Sequence, residues 1–112
     1  MKLNIKDIIE KNIAISTDDG KKVFNKIKKG LEDKEKSIEI SFDGIDMLIS
    51  HFLNESIGKL YITFDKKRWD EIDSIHYTDI DEDDLELLKE RVISAFKGDI
   101  NKAKEIEKGI LR

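Results

Sequence analysis

Residues 37–61, SIEISFDGIDMLISHFLNESIGKLY, switch from one hydrophobic period to another. Ile38, Ile40 and Phe42 alternate with Glu39 and Ser41, the period of a strand with one half-wet face. Asp43-Gly44 supplies turn chemistry, and Ile45, Met47, Leu48 and Ile49 carry the chain inward again. From Ser50 the spacing becomes helical, with Leu53, Ile57, Leu60 and Tyr61 on one stripe flanked by Phe52 and Phe64. A strand, a turn and a helix in immediate succession predict an α/β fold.

Toward the amino terminus, Leu3 to Ile8 alternates apolar and polar, and Ile13-Ala14-Ile15 is a second short run. Both read as strands, with a hairpin between them as one arrangement. Val23, Phe24, Ile27 and Leu31 then form a helical stripe about three turns long, with Thr17 or Asp18 as its cap and Gly30 near its exit. Lys21, Lys22, Lys26, Lys28 and Lys29 occupy the other positions, as on a solvated helix face. Toward the carboxyl terminus, Ile72, Ile75 and Tyr77 suggest a strand. Asp81 caps a helix carrying Leu85, Leu88, Val92 and Phe96, Gly98 breaks it, and Ile100, Ala103, Ile106 and Ile110 mark a last amphipathic helix. The expected architecture is one α/β domain over residues 1–112 in the order β-β-α-β-α-β-α-α. It has about four strands in a mostly parallel or mixed sheet, and residues 98–112 form a helical extension.

The chain has 112 residues, 21 Lys+Arg against 25 Asp+Glu, a net charge of -4, and neither Cys nor Pro. A disulfide scaffold, a cysteine nucleophile and a thiolate metal site are excluded. The acidic balance argues against nucleic-acid binding by phosphate neutralisation. The longest apolar runs, such as Met47-Leu48-Ile49, are far too short to span a membrane, and no signal-peptide pattern opens the chain. A soluble, cytoplasmic protein is expected.

Chemistry-bearing sets are sparse. Ser50 and His51 are neighbours, but adjacent helical residues point about 100° apart and do not pair by adjacency; His76 has no required proximity to either. Asp79 to Asp84, with Glu90 beyond, matches several positions of a calcium loop, yet Asp84 stands where that loop needs Gly and Glu86 where it needs an apolar residue. The same acids suit the first turn of a helix. A small metal-dependent enzyme or sensor built on Asp79–Asp84 is the alternative function. No glycine-rich phosphate loop exists, since Asp18-Asp19-Gly20-Lys21-Lys22 sets one glycine among acids. Trp69, between Lys66-Lys67-Arg68 and Asp70, reads as a core edge or a protein contact, and stacking on a nucleic acid base would rest on this one ring.

Phe42-Asp43-Gly44-Ile45, Ser50-x-Phe52-Leu53-Asn54-Glu55 and Gly58-x-Leu60, together with the helix entrance Asp19-Gly20-Lys21-Lys22-Val23-Phe24, resemble the STAS-like domain family. These are small bacterial and phage-borne domains related in fold to sulfate-transporter and anti-sigma-factor-antagonist domains. The resemblance implies a non-catalytic protein-interaction module, without cofactor or metal, whose partner is a histidine-kinase-type ATPase or another protein of the same operon. It implies neither nucleic acid nor membrane as a partner and leaves homodimerisation open. In the antagonist relatives a strand leads into Asp-Ser-Ser-Gly at a helix start, and the first Ser is phosphorylated by the partner. Ile49, Ser50, His51 and Phe52 stand at those positions, so only the phosphoacceptor Ser is kept. Ser50 is therefore the expected phosphoacceptor or partner contact, with Asp43, Gly44, Asp46, His51 and Asn54 as the expected partner-binding loop.

Overall fold

The computed structural model describes residues 1–95, so Phe96, the break at Gly98 and the expected helical extension 98–112 lie outside the described residues. The elements are β1 (Lys2–Asn4), α1 (Ile5–Ile9), β2 (Ile13–Ala14), α2 (Thr17–Glu32), β3 (Glu39–Ser41) and β4 (Met47–Leu48). They continue with α3 (Ser50–Leu53), a π-helical segment (Asn54–Gly58), α4 (Lys59–Thr63), a 3-10 turn (Lys66–Arg68), α5 (Trp69–Asp73), β5 (His76–Thr78) and α6 (Glu82–Ala95). The class is α/β, as expected, but the strands form two sheets of three and two rather than one of about four.

The larger sheet has the order β1-β3-β5, all parallel, with Leu3, Ile40 and Tyr77 in register. Both crossovers step the same way across it. Right-handed connections then place their helices on one face, and α2 does pack against α3 and the π-helical segment. Leu3, Ile40 and Tyr77 are buried together with Val23, Phe24, Ile27, Phe52, Leu53, Ile57 and Leu60. The alternate strand positions carry Lys2, Glu39 and His76, then Asn4, Ser41 and Thr78, on the opposite face. Thr78 Oγ1 donates to Glu39 Oε2 at 3.1 Å, and Lys2 Nζ lies 3.6 Å from the same oxygen. Parallel sheets are usually covered on both faces; in this one, one face is polar.

The smaller sheet pairs β2 with β4, also parallel, Ile13 beside Met47 and Ala14 beside Leu48. The expected hairpin between the first two strands does not form. Its first run ends at Asn4, whose side chain accepts the Asp7 N–H at 3.1 Å and starts α1. Such a cap is worth about 1 kcal/mol. Ile5 and Ile9, one helical turn apart, then reach the core together at 0% and 1% exposure. Glu10, at φ 60°, ends the turn.

Two further expectations change. Ser16, not Thr17 or Asp18, caps α2, its hydroxyl accepting the Asp19 N–H at 3.1 Å. The run Ile72 to Tyr77 is not one strand: Ile72 lies in α5, and β5 starts only at His76. Tyr61 Oη donates to Asp73 and Trp69 Nε1 to the Tyr61 carbonyl, so polar bonds as well as apolar contact hold α5 under α4. Asp81 does cap α6 as expected, accepting the Asp84 N–H at 2.8 Å, and Leu88 and Val92 bury fully.

From Ser50 to Thr63 the backbone is a continuous helical rod that widens at Asn54–Gly58. It packs tightly on α2 at Gly20, where a Cβ would stand 2.9 Å from the Phe52 carbonyl oxygen and 2.8 Å from Glu55 Cβ. At Gly58 a Cβ would meet nothing nearer than the Arg91 carbonyl at 3.6 Å. Gly20→Ala is therefore expected to cost about 1–3 kcal/mol by overpacking, whereas Gly58→Ala stays within about 1 kcal/mol of wild type. Urea unfolding of both variants checks this; equal losses would contradict it.

Candidate functional site

The two strands of the small sheet each run directly into a helix. Asp46 N donates to the Asn12 carbonyl at 2.7 Å and Ile49 N to the Ala14 carbonyl at 3.2 Å, holding β2 and β4 in register. Because Ala14 pairs with Leu48, the α2 start at Ser16 and the α3 start at Ser50 emerge side by side. The two serines then differ. Ser16 is a residue before its helix, with extended backbone, and its hydroxyl is consumed as the cap. Ser50 is the first residue inside its helix; Ile49 holds the capping position and gives no side-chain bond. The half-buried Ser50 hydroxyl makes no hydrogen bond among the described residues.

Strand period fixes what surrounds Ser50. Ala14 and Leu48 face inward and are buried, so Ile13, Ile15, Met47 and Ile49 share the outer face of the small sheet. Ile13 and Ile15 are 36% exposed and Met47 53%. These three are most of the exposed large apolar side chains among the described residues, gathered on a two-stranded ribbon that ends at Ser50. Scattered exposed apolar side chains are ordinary, whereas a cluster marks a contact surface.

His51 and Asn54 are exposed and lie three apart on the rod, with Asn54 four from Ser50, so these three share a side. The expected loop is elsewhere. Asp43, Gly44 and Asp46 precede β4 while Ser50 follows it, and the extended chain of Met47, Leu48 and Ile49 separates Asp46 from Ser50 by roughly 13 Å. Gly44 takes φ 80°, with the Lys6 side chain against it, and Asp43 N donates to Ser41 Oγ at 3.2 Å. Ser41 Oγ donates to Asp79 Oδ2 at 2.8 Å, and Asn12 Nδ2 donates to Asp46 Oδ2 at 2.6 Å. The expected residues thus form two groups, one at each end of β4.

The acids of residues 79–84 divide in the same manner. Asp79 accepts from Ser41, Asp81 caps α6, and Glu82, Asp83 and Asp84 fill its first turn. Burial, then the Asp81 and Asp83 charges, raises the Asp84 carboxyl above its ordinary value. Among the described residues no group of three or more His, Cys, Asp or Glu is placed to hold a metal ion, and no helix is long and apolar enough to cross a membrane. His76, on the polar face of the large sheet, and His51, on the rod, come from different elements.

One residue beside the site escaped sequence reasoning. Asp19 is only 3% exposed at the side chain, with Lys11 Nζ at 2.7 Å and Lys22 Nζ at 3.5 Å. Nothing in the local sequence announces Lys11 as its partner. Burial by itself would raise this carboxyl; the bonds from Lys11 and Ser16, with the Lys11 charge and Lys22, outweigh it and hold the group below its ordinary 3.8.

The family described as a STAS-like domain of unknown function matches residues 19–85. No curated protein and no solved structure matches the chain.

A carboxyl depressed in the folded state adds stability above its unfolded value and loses it as pH falls through the folded one. Asp19→Asn is therefore expected to be less stable than wild type at pH 7, by about 1–3 kcal/mol. The gap should close as pH falls below 3.8. Denaturant titrations at pH 7 and near pH 3 measure both; a gap independent of pH would contradict the ion-paired carboxylate.

Proposed function

The chain belongs to the STAS-like domain family, and from that premise we propose that it is a non-catalytic, cytoplasmic regulatory module that binds another protein through the Ser50 end of the small sheet. The observation that carries this reading is the exposed strip of Ile13, Ile15 and Met47 ending at a serine hydroxyl with no bond of its own among the described residues. An apolar strip supplies contact area, and the serine beside it supplies a switch. The partner favoured is a histidine-kinase-type ATPase, as in the antagonist domains that the family resembles in fold.

The chemistry of such a switch follows from position. A phosphate on Ser50 would meet unpaired N–H groups and the positive end of the rod's dipole, so the modified form is tolerated by the fold. About two negative charges beside an apolar strip would at the same time oppose docking of an apolar partner surface. His51 and Asn54 lie on the same side of the rod and would border the contact. Asp43, Gly44 and Asp46, beyond the other end of β4, would form a separate part of it.

The experiment is co-purification of the tagged chain from its native host, with Ser50→Ala, Ser50→Glu and Met47→Lys in parallel. Wild type and Ser50→Ala are expected to recover a histidine-kinase-type ATPase, and Ser50→Glu and Met47→Lys to lose it by tenfold or more. All three variants should melt like wild type. Recovery of no such partner, with Ser50→Ala and Ser50→Glu both behaving like wild type, would overturn the reading.

A further inference from the structure

A second surface stands apart from Ser50 and needs none of its chemistry. Strand β1 is an edge of the three-stranded sheet. Glu39 N donates to the Met1 carbonyl at 2.9 Å, which fixes the phase of the parallel ladder. Met1 O and the backbone groups of Leu3 turn toward β3, so the N–H and C=O of Lys2 and the N–H of Asn4 turn away from it. Beside this edge lies a groove of about 670 Å³ lined by Lys2, Leu3, Asn4, Asp7, Ile8 and Lys26. Through Ile8 and Lys26 it continues into a second groove of about 410 Å³ along α2, which adds Lys22, Asn25 and Lys29.

The charge in this channel opposes that of the chain. The protein carries -4 overall, yet the channel holds Lys2, Lys22, Lys26 and Lys29 against Asp7. Lys2 and Lys22 lie near Glu39 and Asp19. Lys26 and Lys29 have no ion-pair partner among the described residues. Half-buried Ile8 gives the floor one apolar contact. Backbone groups in a row and lysines that have no partner among the described residues, with an apolar point beside them, are the recognition elements of strand addition by an acidic peptide. We propose that β1 accepts an extended acidic segment of a partner protein as a fourth strand, its carboxylates against Lys26 and Lys29 and an apolar side chain against Ile8. A second copy of this chain fits worse, because pairing two β1 edges would bring two lysine channels together.

The probe is a displayed library of random nine-residue peptides selected on the immobilised full chain, with enriched peptides titrated into isotope-labelled protein. Enriched peptides are expected to be acidic with an apolar residue on the same strand face. They should slow exchange of the Lys2 and Asn4 amides more than about tenfold, and bind at least about tenfold more weakly to the Lys26→Glu/Lys29→Glu variant, about 1.4 kcal/mol. Both substitutions are at exposed positions, so the variant should melt like wild type. Enrichment of nothing, or of peptides that leave those two amides unchanged, would overturn the proposal. So would a thymidine oligonucleotide held by the same lysines without amide protection, or a concentration-dependent dimer that protects Lys2 and Asn4 by itself. Because Ser50 takes no part, loss of the Ser50 switch leaves these results unaffected.

Discussion

The approach of α2 to the 50–63 rod at Gly20 is the constraint on which the other features depend. With no side chain at that position, the Phe52 carbonyl and Glu55 reach the α2 backbone, and the two helices lock along their amino-terminal turns. Each of those turns is fed by a strand of the small sheet, so the helix contact and the pairing of β2 with β4 must fit one another. Asp19, one residue before the contact, is buried there only because Lys11 and Lys22 neutralise it. A buried carboxylate without such partners would be strongly unfavourable.

Topology supplies the second constraint. Because β1, β3 and β5 advance in one direction, their helices share a face, and among the described residues the sheet has a polar face and an edge at β1. The small sheet sits where the chain passes from strands to helices and turns the Ile13–Met47 pair outward. The fold thus carries its exposed apolar strip on short strands, while the long helices α2, 50–63 and α6 supply about half of the buried apolar side chains. That division lets surface chemistry vary without disturbing the core.

Much of this was legible in the sequence where a single period ran long enough. Val23, Phe24, Ile27 and Leu31 marked α2, the stripe from Leu53 to Tyr61 marked the rod, and Asp81 marked the start of α6. Short elements were misread because few residues separate one period from the other. Leu3, Asn4 and Ile5 alternate as a strand does, Ile5, Ile8 and Ile9 have helical spacing, and the Asn4 cap decides for a helix. Ile72 likewise belongs to a single turn too short to show a period. At the site, Ser50 at a helix start was evident from the change of period. The apolar strip was not, since Ile13 and Met47 meet only through a pairing 34 residues apart in the chain. The separation of Asp43, Gly44 and Asp46 from Ser50 follows from β4 being extended, which Met47-Leu48-Ile49 does not announce by itself.

The central claim is that α2 and the 50–63 rod form one rigid unit on which the small sheet and Ser50 are mounted. Native-state hydrogen exchange tests it most directly. Amides of Val23–Leu31 and of Phe52–Tyr61 should open with a single common free energy, equal to that of global unfolding and carrying the same denaturant dependence. Opening of the 50–63 rod at a distinctly lower free energy, while α2 stays closed, would contradict the account.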